Sequence, residues 1–251
     1  MTFITLTKTN LNHEHICCAI SDKKSEFSVL EKKHWLSDRI DEGLKFVKAE
    51  GRGKVFIEYL PAEFAWVPVQ AKGYLMINCH WVSGSYKNQG FGKALLQICE
   101  QDANDKNGVV LISSARKRPF LSNKAFFTKH GFEVCDKAKP YFELLVKRTN
   151  KEAPLPCFNL SAKEGKLEGE HHGIDIFYTV QCPFVLPYIE LIQPVIQNSE
   201  IPVRLHQIVS RDEAQRHASA VTTYAVFVNG KFLTQEILTV AKLQLLIRQA
   251  F

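Results

Sequence analysis

The stretch Val82-Ser83-Gly84-Ser85-Tyr86-Lys87-Asn88-Gln89-Gly90-Phe91-Gly92-Lys93-Ala94-Leu95-Leu96 reads as a strand end, a glycine-bearing turn and a helix start. Backbone N–H groups at a helix N-terminus are free, and the helix dipole favours anions there. Glycines at positions 90 and 92 let a pyrophosphate approach the backbone closely. Lys87 and Lys93 add positive charge beside it. A tight turn that merely needs glycine is the competing reading. Two other glycine loops are excluded. A triphosphate P-loop needs Ser or Thr after Gly-Lys, but Lys93 is followed by Ala94. A dinucleotide fingerprint needs three glycines at fixed spacing in a βαβ unit, which is absent.

The elements that must position this loop follow from pattern. Phe3 to Leu6 reads as a first strand, and Ser25 to Ala49 as a helix, because Leu36, Ile40, Leu44 and Val47 fall on one helical face and Gly51 and Gly53 then stop it. Val55–Tyr59, Ala65–Val67 and Tyr74–Val82 are rich in β-branched and aromatic residues and read as strands. A helix starts near Gly90. Val109–Ile112 is a buried strand, Asn123–Lys129 a helix ending at Gly131, and Phe132–Val134 and Tyr141–Val146 two more strands. Several strands are hairpin-adjacent, so the sheet is mixed rather than all parallel.

The chain has 251 residues, with 45% hydrophobic and 23% charged, ordinary globular usage for one large or two modest domains. No apolar run reaches the roughly 18 residues a membrane span needs, and Met1 to Lys8 lacks the features of a secretory signal. The seven cysteines are odd in number and show no zinc-like spacing, so no metal site is expected and reduced cytosolic thiols are the simplest reading. Residues 1–150 carry 23 Lys and Arg against 16 Asp and Glu, and the remainder 9 against 10. The positive excess sits in the first part and suits an anionic small ligand. No dense basic run or binding motif points to nucleic acid.

Val82-x-Gly84-x-Tyr86-Lys87-x-x-Gly90-x-Gly92-Lys93-Ala94-Leu95-Leu96 resembles the acyl-CoA pyrophosphate loop of the GNAT acetyltransferase superfamily, with Lys87 where that loop usually has Arg or Gln. Downstream, Phe126-Phe127-Thr128-Lys129-His130-Gly131-Phe132 is similar to the family's Leu-Tyr-x-Lys-x-Gly-Phe segment. The resemblance implies an acetyl-CoA cosubstrate and direct acyl transfer to an amine in a ternary complex. It implies a cofactor-binding set of Trp81, Val82, Lys87, Asn88, Gln89, Gly90, Phe91, Gly92, Lys93 and Asn123. Backbone donors near Trp81 and Val82 would hold the pantetheine arm and polarise the thioester. Arg116-Lys117-Arg118 either meets the 3′-phosphate or is a solvated loop.

Two departures stand out. Phe127 occupies the place of the Tyr that protonates the CoA thiolate in many members, and Phe120 that of the Asn opening the motif. A thiol of pKa about 8.5 can leave unprotonated. Tyr141 is a substitute acid or a core tyrosine. For the base, which must take a proton from the ammonium acceptor, Glu58 leads, because a carboxylate inside an apolar strand needs a reason. His80, two residues before Val82, is a second candidate or a satisfied core histidine. Glu63 is a further carboxylate. Cys79 is expected to face away from His80 as core filler.

Composition shifts near residue 149. The chain is expected to divide into residues 1–148, a linker over 149–173 with a short structured piece around Cys157-Phe158, and residues 174–251. The last part reads strand, helix, strand, helix, hairpin at Asn229-Gly230, helix. That order resembles a thioredoxin fold, and Cys182-Pro183-Phe184 its active-site turn. Val185 replaces the second cysteine and Thr222 the expected cis-proline, so dithiol chemistry is not expected. The expected fold class is therefore mixed α/β: a GNAT fold followed by a small thioredoxin-like domain, similar over nearly the whole chain to the YoaP-like acetyltransferases of bacteria. Two alternatives stay open: a non-catalytic CoA-binding sensor, and a single-cysteine thiol protein acting through Cys182. The acceptor pocket is expected where the two parts meet.

Overall fold

The computed structural model describes residues 2–20, 25–119 and 121–249. Its first unit is a seven-stranded sheet of β1 (Phe3–Thr5), β2 (Lys45–Ala49), β3 (Val55–Pro61), β5 (Tyr74–Val82), β6 (Gly108–Ser114), β8 (Phe142–Arg148) and β7 (Glu133–Ala138), in that spatial order. All neighbouring pairs are antiparallel except β5 and β6, which run parallel. Helices α1 (Glu26–Ile40), α2 (Phe91–Asp102) and α3 (Lys124–Lys129) flank the sheet.

The central strands are buried on both faces, as near-continuous apolar runs should be. Phe56 and Leu60 of β3 face one core with Trp35 and Leu36 of α1. Val55, Ile57 and Tyr59 face the other, with Leu95, Leu96 and Cys99 of α2. Ser28, Lys32, Trp35 and Leu36 form the buried stripe of α1, at the spacing of one helical face.

Two expectations from the sequence do not hold. The helix ends at Ile40, and residues 45–49 are β2. Gly43 at φ +90° turns the chain, and the helical spacing of Leu44 and Val47 is a coincidence of a strand that buries Phe46, Val47, Lys48 and Ala49. Ala65–Val67 is irregular rather than a strand. Its backbone acceptors are satisfied from the far end of the chain: Gln215 Nε2 donates to Ala65 O at 3.0 Å, and the Thr222 hydroxyl donates to Trp66 O.

The segment after β8 carries β9 (Cys157–Phe158) and α4 (Leu160–Glu164). β9 pairs with the short β4 (Val69–Gln70), and Ala153, Phe158 and Ala162 are buried in the main core. The second unit runs β10 (Ile174–Tyr178), α5 (Val185–Gln197), β11 (Val203–Gln207), α6 (Arg211–Arg216), β12 (Tyr224–Val228), β13 (Lys231–Thr234) and α7 (Val240–Gln249). Its sheet order is β11-β10-β12-β13, with β10 and β11 parallel and the rest antiparallel. Ile208, Ala214, Ala220 and Val221 belong to the same apolar cluster as Trp35, Phe56 and Trp66, so the two units share a core. No helix among the described residues is long and apolar enough to cross a membrane.

Candidate active site

Gly90 stands at φ +83° as the residue before α2, and its own position gives that helix no side-chain cap. The turn before it is a 3₁₀ segment over Gly84–Tyr86, followed by Asn88 at φ +62°. Gln89 Nε2 donates to Ser85 O at 2.5 Å, which ties the turn to itself. Lys87, Asn88, Gln89, Gly90 and Lys93 are exposed, and Phe91 and Gly92 half-buried. An uncapped helix N-terminus open to solvent, with two cations beside it, is suited to a phosphate group.

Beside this loop the sheet opens. β5 pairs with β6 only from Tyr74 to Ile77, while its pairing with β3 continues to Val82. Residues 78–82 thus keep one edge without a strand partner among the described residues. Trp81, 42% exposed, and Val82 lie on this edge. An extended arm of amide groups can add there as a strand would, with its phosphate end at α2. The residues present therefore fit an acyl-CoA.

The same strand end borders a cavity of about 150 Å³ between the two units. Its walls include Phe56, Glu58, Asn78, Cys79, His80 and Trp81 from the sheet, Cys18 and Lys32 from the α1 side, and Gln181 to Phe184 from the turn before α5. Glu58, from the α1 side of the sheet, and His80, from the α2 side, both border it. The Lys32 ammonium meets Glu58 Oε2 at 2.6 Å, with both side chains 3% exposed. Asn78 Nδ2 donates to Glu58 Oε1 at 3.0 Å. A bulge in the β3–β5 pairing, which leaves Asn78 unmatched, places it there.

His80 Nε2 bonds Gly92 O at 3.0 Å. A carbonyl only accepts, so Nε2 carries the proton and neutral His80 presents Nδ1 as an acceptor. Burial lowers the His80 pKa to about 4, which keeps the ring neutral. Phe126 stacks on it at 4.9 Å and Phe127 meets it edge-on at 5.5 Å. A Cβ at Gly92 would lie 3.3 Å from the His80 ring, so this glycine also serves the close approach of α2 to His80. Burial pushes the thiols of Cys18, Cys79 and Cys182 up, the opposite of an activated thiolate.

The remaining sequence candidates lie elsewhere. Tyr141 does not line this cavity. Its hydroxyl donates to Gln235 Oε1, the Arg118 guanidinium covers its ring at 3.4 Å, and both face a separate cavity with Arg116, Lys137, Lys139 and Lys163. Asn123 caps α3, its side chain accepting from Phe126 N at 3.4 Å. Glu63 accepts from Gly73 N. Phe120 lies outside the described residues. Sequence reasoning missed Lys32, Asn78 and Gln181. A signal existed for Lys32, which sits one turn before Leu36 on the apolar face of α1. The bulge and the contact between units leave no local mark.

Comparison with known proteins gives a consistent result. The model of the acetyltransferase (GNAT) family matches residues 10–132, and a YoaP-like family model matches residues 202–244. The chain is 42% identical over 249 residues to a Bacillus subtilis (strain 168) protein named uncharacterized N-acetyltransferase YoaP, covering 98% of each. Similar solved structures include the PaiA N-acetyltransferase of Thermoplasma acidophilum in complex with coenzyme A, at 18% identity and TM-score 0.42 over 59% of this chain and 99% of that one. Another is the GNAT family N-acetyltransferase YhbS of Escherichia coli in complex with CoA, at 14% identity and TM-score 0.40 over 63% and 89%. Identity of 42% along almost the entire length places this chain in the GNAT acetyltransferase family, as a YoaP-like member.

Proposed function

We propose that the chain is a cytosolic N-acetyltransferase that uses acetyl-CoA and an amine held in the cavity between the two units, by direct transfer in a ternary complex. Acetyl-CoA supplies an activated thioester, whose C–S bond breaks as the amide N–C bond forms. The observation that carries the reading is the unpaired edge of β5 at residues 78–82, which runs from the uncapped start of α2 to the cavity holding Glu58 and His80.

The start of α2, with Lys87 and Lys93, binds the pyrophosphate, and the backbone of Trp81 and Val82 orients the arm. Glu58 commits one oxygen to Lys32 and the other to Asn78, and its remaining lone pairs draw an incoming ammonium. The ammonium gives up one proton to water, His80 Nδ1 accepts a hydrogen bond from the neutral amine and aims its lone pair, and the second proton leaves to water as the N–C bond forms. With Phe127 buried against His80 and Tyr141 outside the cavity, the thiolate leaves without a tyrosine donor, which its acidity of about 8.5 permits. The second unit, whose strand order and parallel β10–β11 pair are compatible with a thioredoxin-like fold, acts as a recognition module that closes the acceptor cavity.

Phe127 also supports a second reading, a CoA-binding sensor without turnover. Steady-state thiol release with a panel of primary amines separates the two. Intersecting double-reciprocal lines are expected. Parallel lines would overturn direct transfer, and tight acetyl-CoA binding without thiol release for any amine would favour the sensor.

A further inference from the structure

Gln181 lines the cavity, and its side-chain Nε2 is buried with no hydrogen-bond partner among the described residues. A buried amide donor left unsatisfied is costly, and such a group in a native fold asks for an explanation. Gln181 comes from the second unit and faces residues of the first across the cavity that separates them. The nitrogen is closed off from the cavity as the side chain lies, and a turn of the amide about its own bonds brings the donor to a ligand there.

We infer that the acceptor is a small primary amine bearing a neutral hydrogen-bond acceptor, an amino alcohol or an amino amide, whose oxygen takes the Gln181 donor. This rests on the cavity being the acceptor pocket. Three observations set the class. The volume of about 150 Å³ is the size that admits a benzene-sized molecule, so the part of the acceptor held in it has roughly five or six heavy atoms. The one lysine or arginine among the described residues of the lining, Lys32, is already paired with Glu58. A carboxylate or phosphate on the acceptor would thus be buried without a counter-charge. Phe56, Trp81 and Phe184 take the carbon skeleton, the Glu58 carboxylate faces the ammonium end, and Gln181 reads the other end.

Four compounds test this, in two pairs of like size: 3-aminopropan-1-ol with n-butylamine, and β-alaninamide with β-alanine. Rates of CoA thiol release are expressed per neutral amine, and the same compounds are titrated calorimetrically into CoA-saturated protein. The alcohol and the amide are expected to exceed their partners about tenfold in kcat/KM, the worth of one hydrogen bond. In Gln181→Leu that preference should fall to near unity, while acetyl-CoA affinity, which reports an intact fold, stays unchanged. Equal use of n-butylamine, a preference for β-alanine, faster turnover of a peptide amine, or a preference that survives in Gln181→Leu would each overturn the inference. A Gln181-dependent preference in binding without thiol release would uphold the ligand class while removing acyl transfer. No preference in either assay would remove the ligand class.

Discussion

Replacing Lys32 by methionine tests the buried pair at the centre of the site. Lys32 and Glu58 meet at 2.6 Å with 3% of each side chain exposed, so neither charge is screened by water. Methionine keeps the apolar stem against Trp35, whose ring lies 4.5 Å from the ammonium, and leaves the Glu58 carboxylate buried with only Asn78. Removing one partner of such a pair costs about 3–5 kcal/mol. Glu58→Leu, which strands the ammonium, should cost a similar amount. The double variant Lys32→Met/Glu58→Leu strands nothing, and pairs replaced by apolar residues are often neutral or more stable by about 1–4 kcal/mol. The three tryptophans, Trp35, Trp66 and Trp81, all lie in the first unit, so their fluorescence during urea unfolding reports that unit. The double variant should recover stability yet lose amine kcat/KM, while still binding acetyl-CoA. Single variants that each cost under about 1 kcal/mol, or a double variant whose cost is the sum of the two, would refute the reasoning.

Gly90→Asp sets a side chain at φ +83° in open space, at a backbone cost of about 1–2 kcal/mol. It also places a negative charge where the pyrophosphate is proposed to bind, so calorimetric affinity for acetyl-CoA should fall at least about tenfold; unchanged affinity would remove the loop assignment. Burial lowers the pKa of both His80 and His217 to about 4, against about 6.5 for a free histidine. The unfolded chain therefore binds more protons between these values, and stability should fall as pH drops from about 6.5 to 4, by up to about 3 kcal/mol per group. His80→Phe should flatten part of that slope in denaturation series across pH, and an unchanged slope would contradict it. Cys182, its thiol pushed up by burial, should alkylate with iodoacetamide at pH 8 no faster than Cys157. Rapid single-site labelling of Cys182 by mass spectrometry would revive thiol chemistry.

Local pattern decided a good deal. Gly90 and Gly92 ahead of an apolar helix marked the turn before α2, because glycine takes the left-handed conformation at position 90 and the close approach at position 92 at least cost. The burial of Glu58 inside an apolar strand was legible, and so was the chain order of the second unit. Errors arose where distant residues settle the backbone. Residues 45–49 satisfy a helical spacing and a strand equally well, and the pairing with β1 and β3 chooses between them. The carbonyls of Ala65 and Trp66 are capped from Gln215 and Thr222, some 150 residues away.

The sequence by itself determined the family motif, the glycine turn before α2 and one member of the buried ion pair, since each depends on residues close together in the chain. The tertiary structure alone decided that Lys32 neutralises Glu58, that a bulge turns Asn78 toward it, that Tyr141 lines a different cavity, and that Gln181 borders the Glu58 cavity from the second unit. The physical reason is that burial, charge pairing and unsatisfied polar groups belong to surfaces brought together by folding, and no spacing within one segment encodes which surfaces meet.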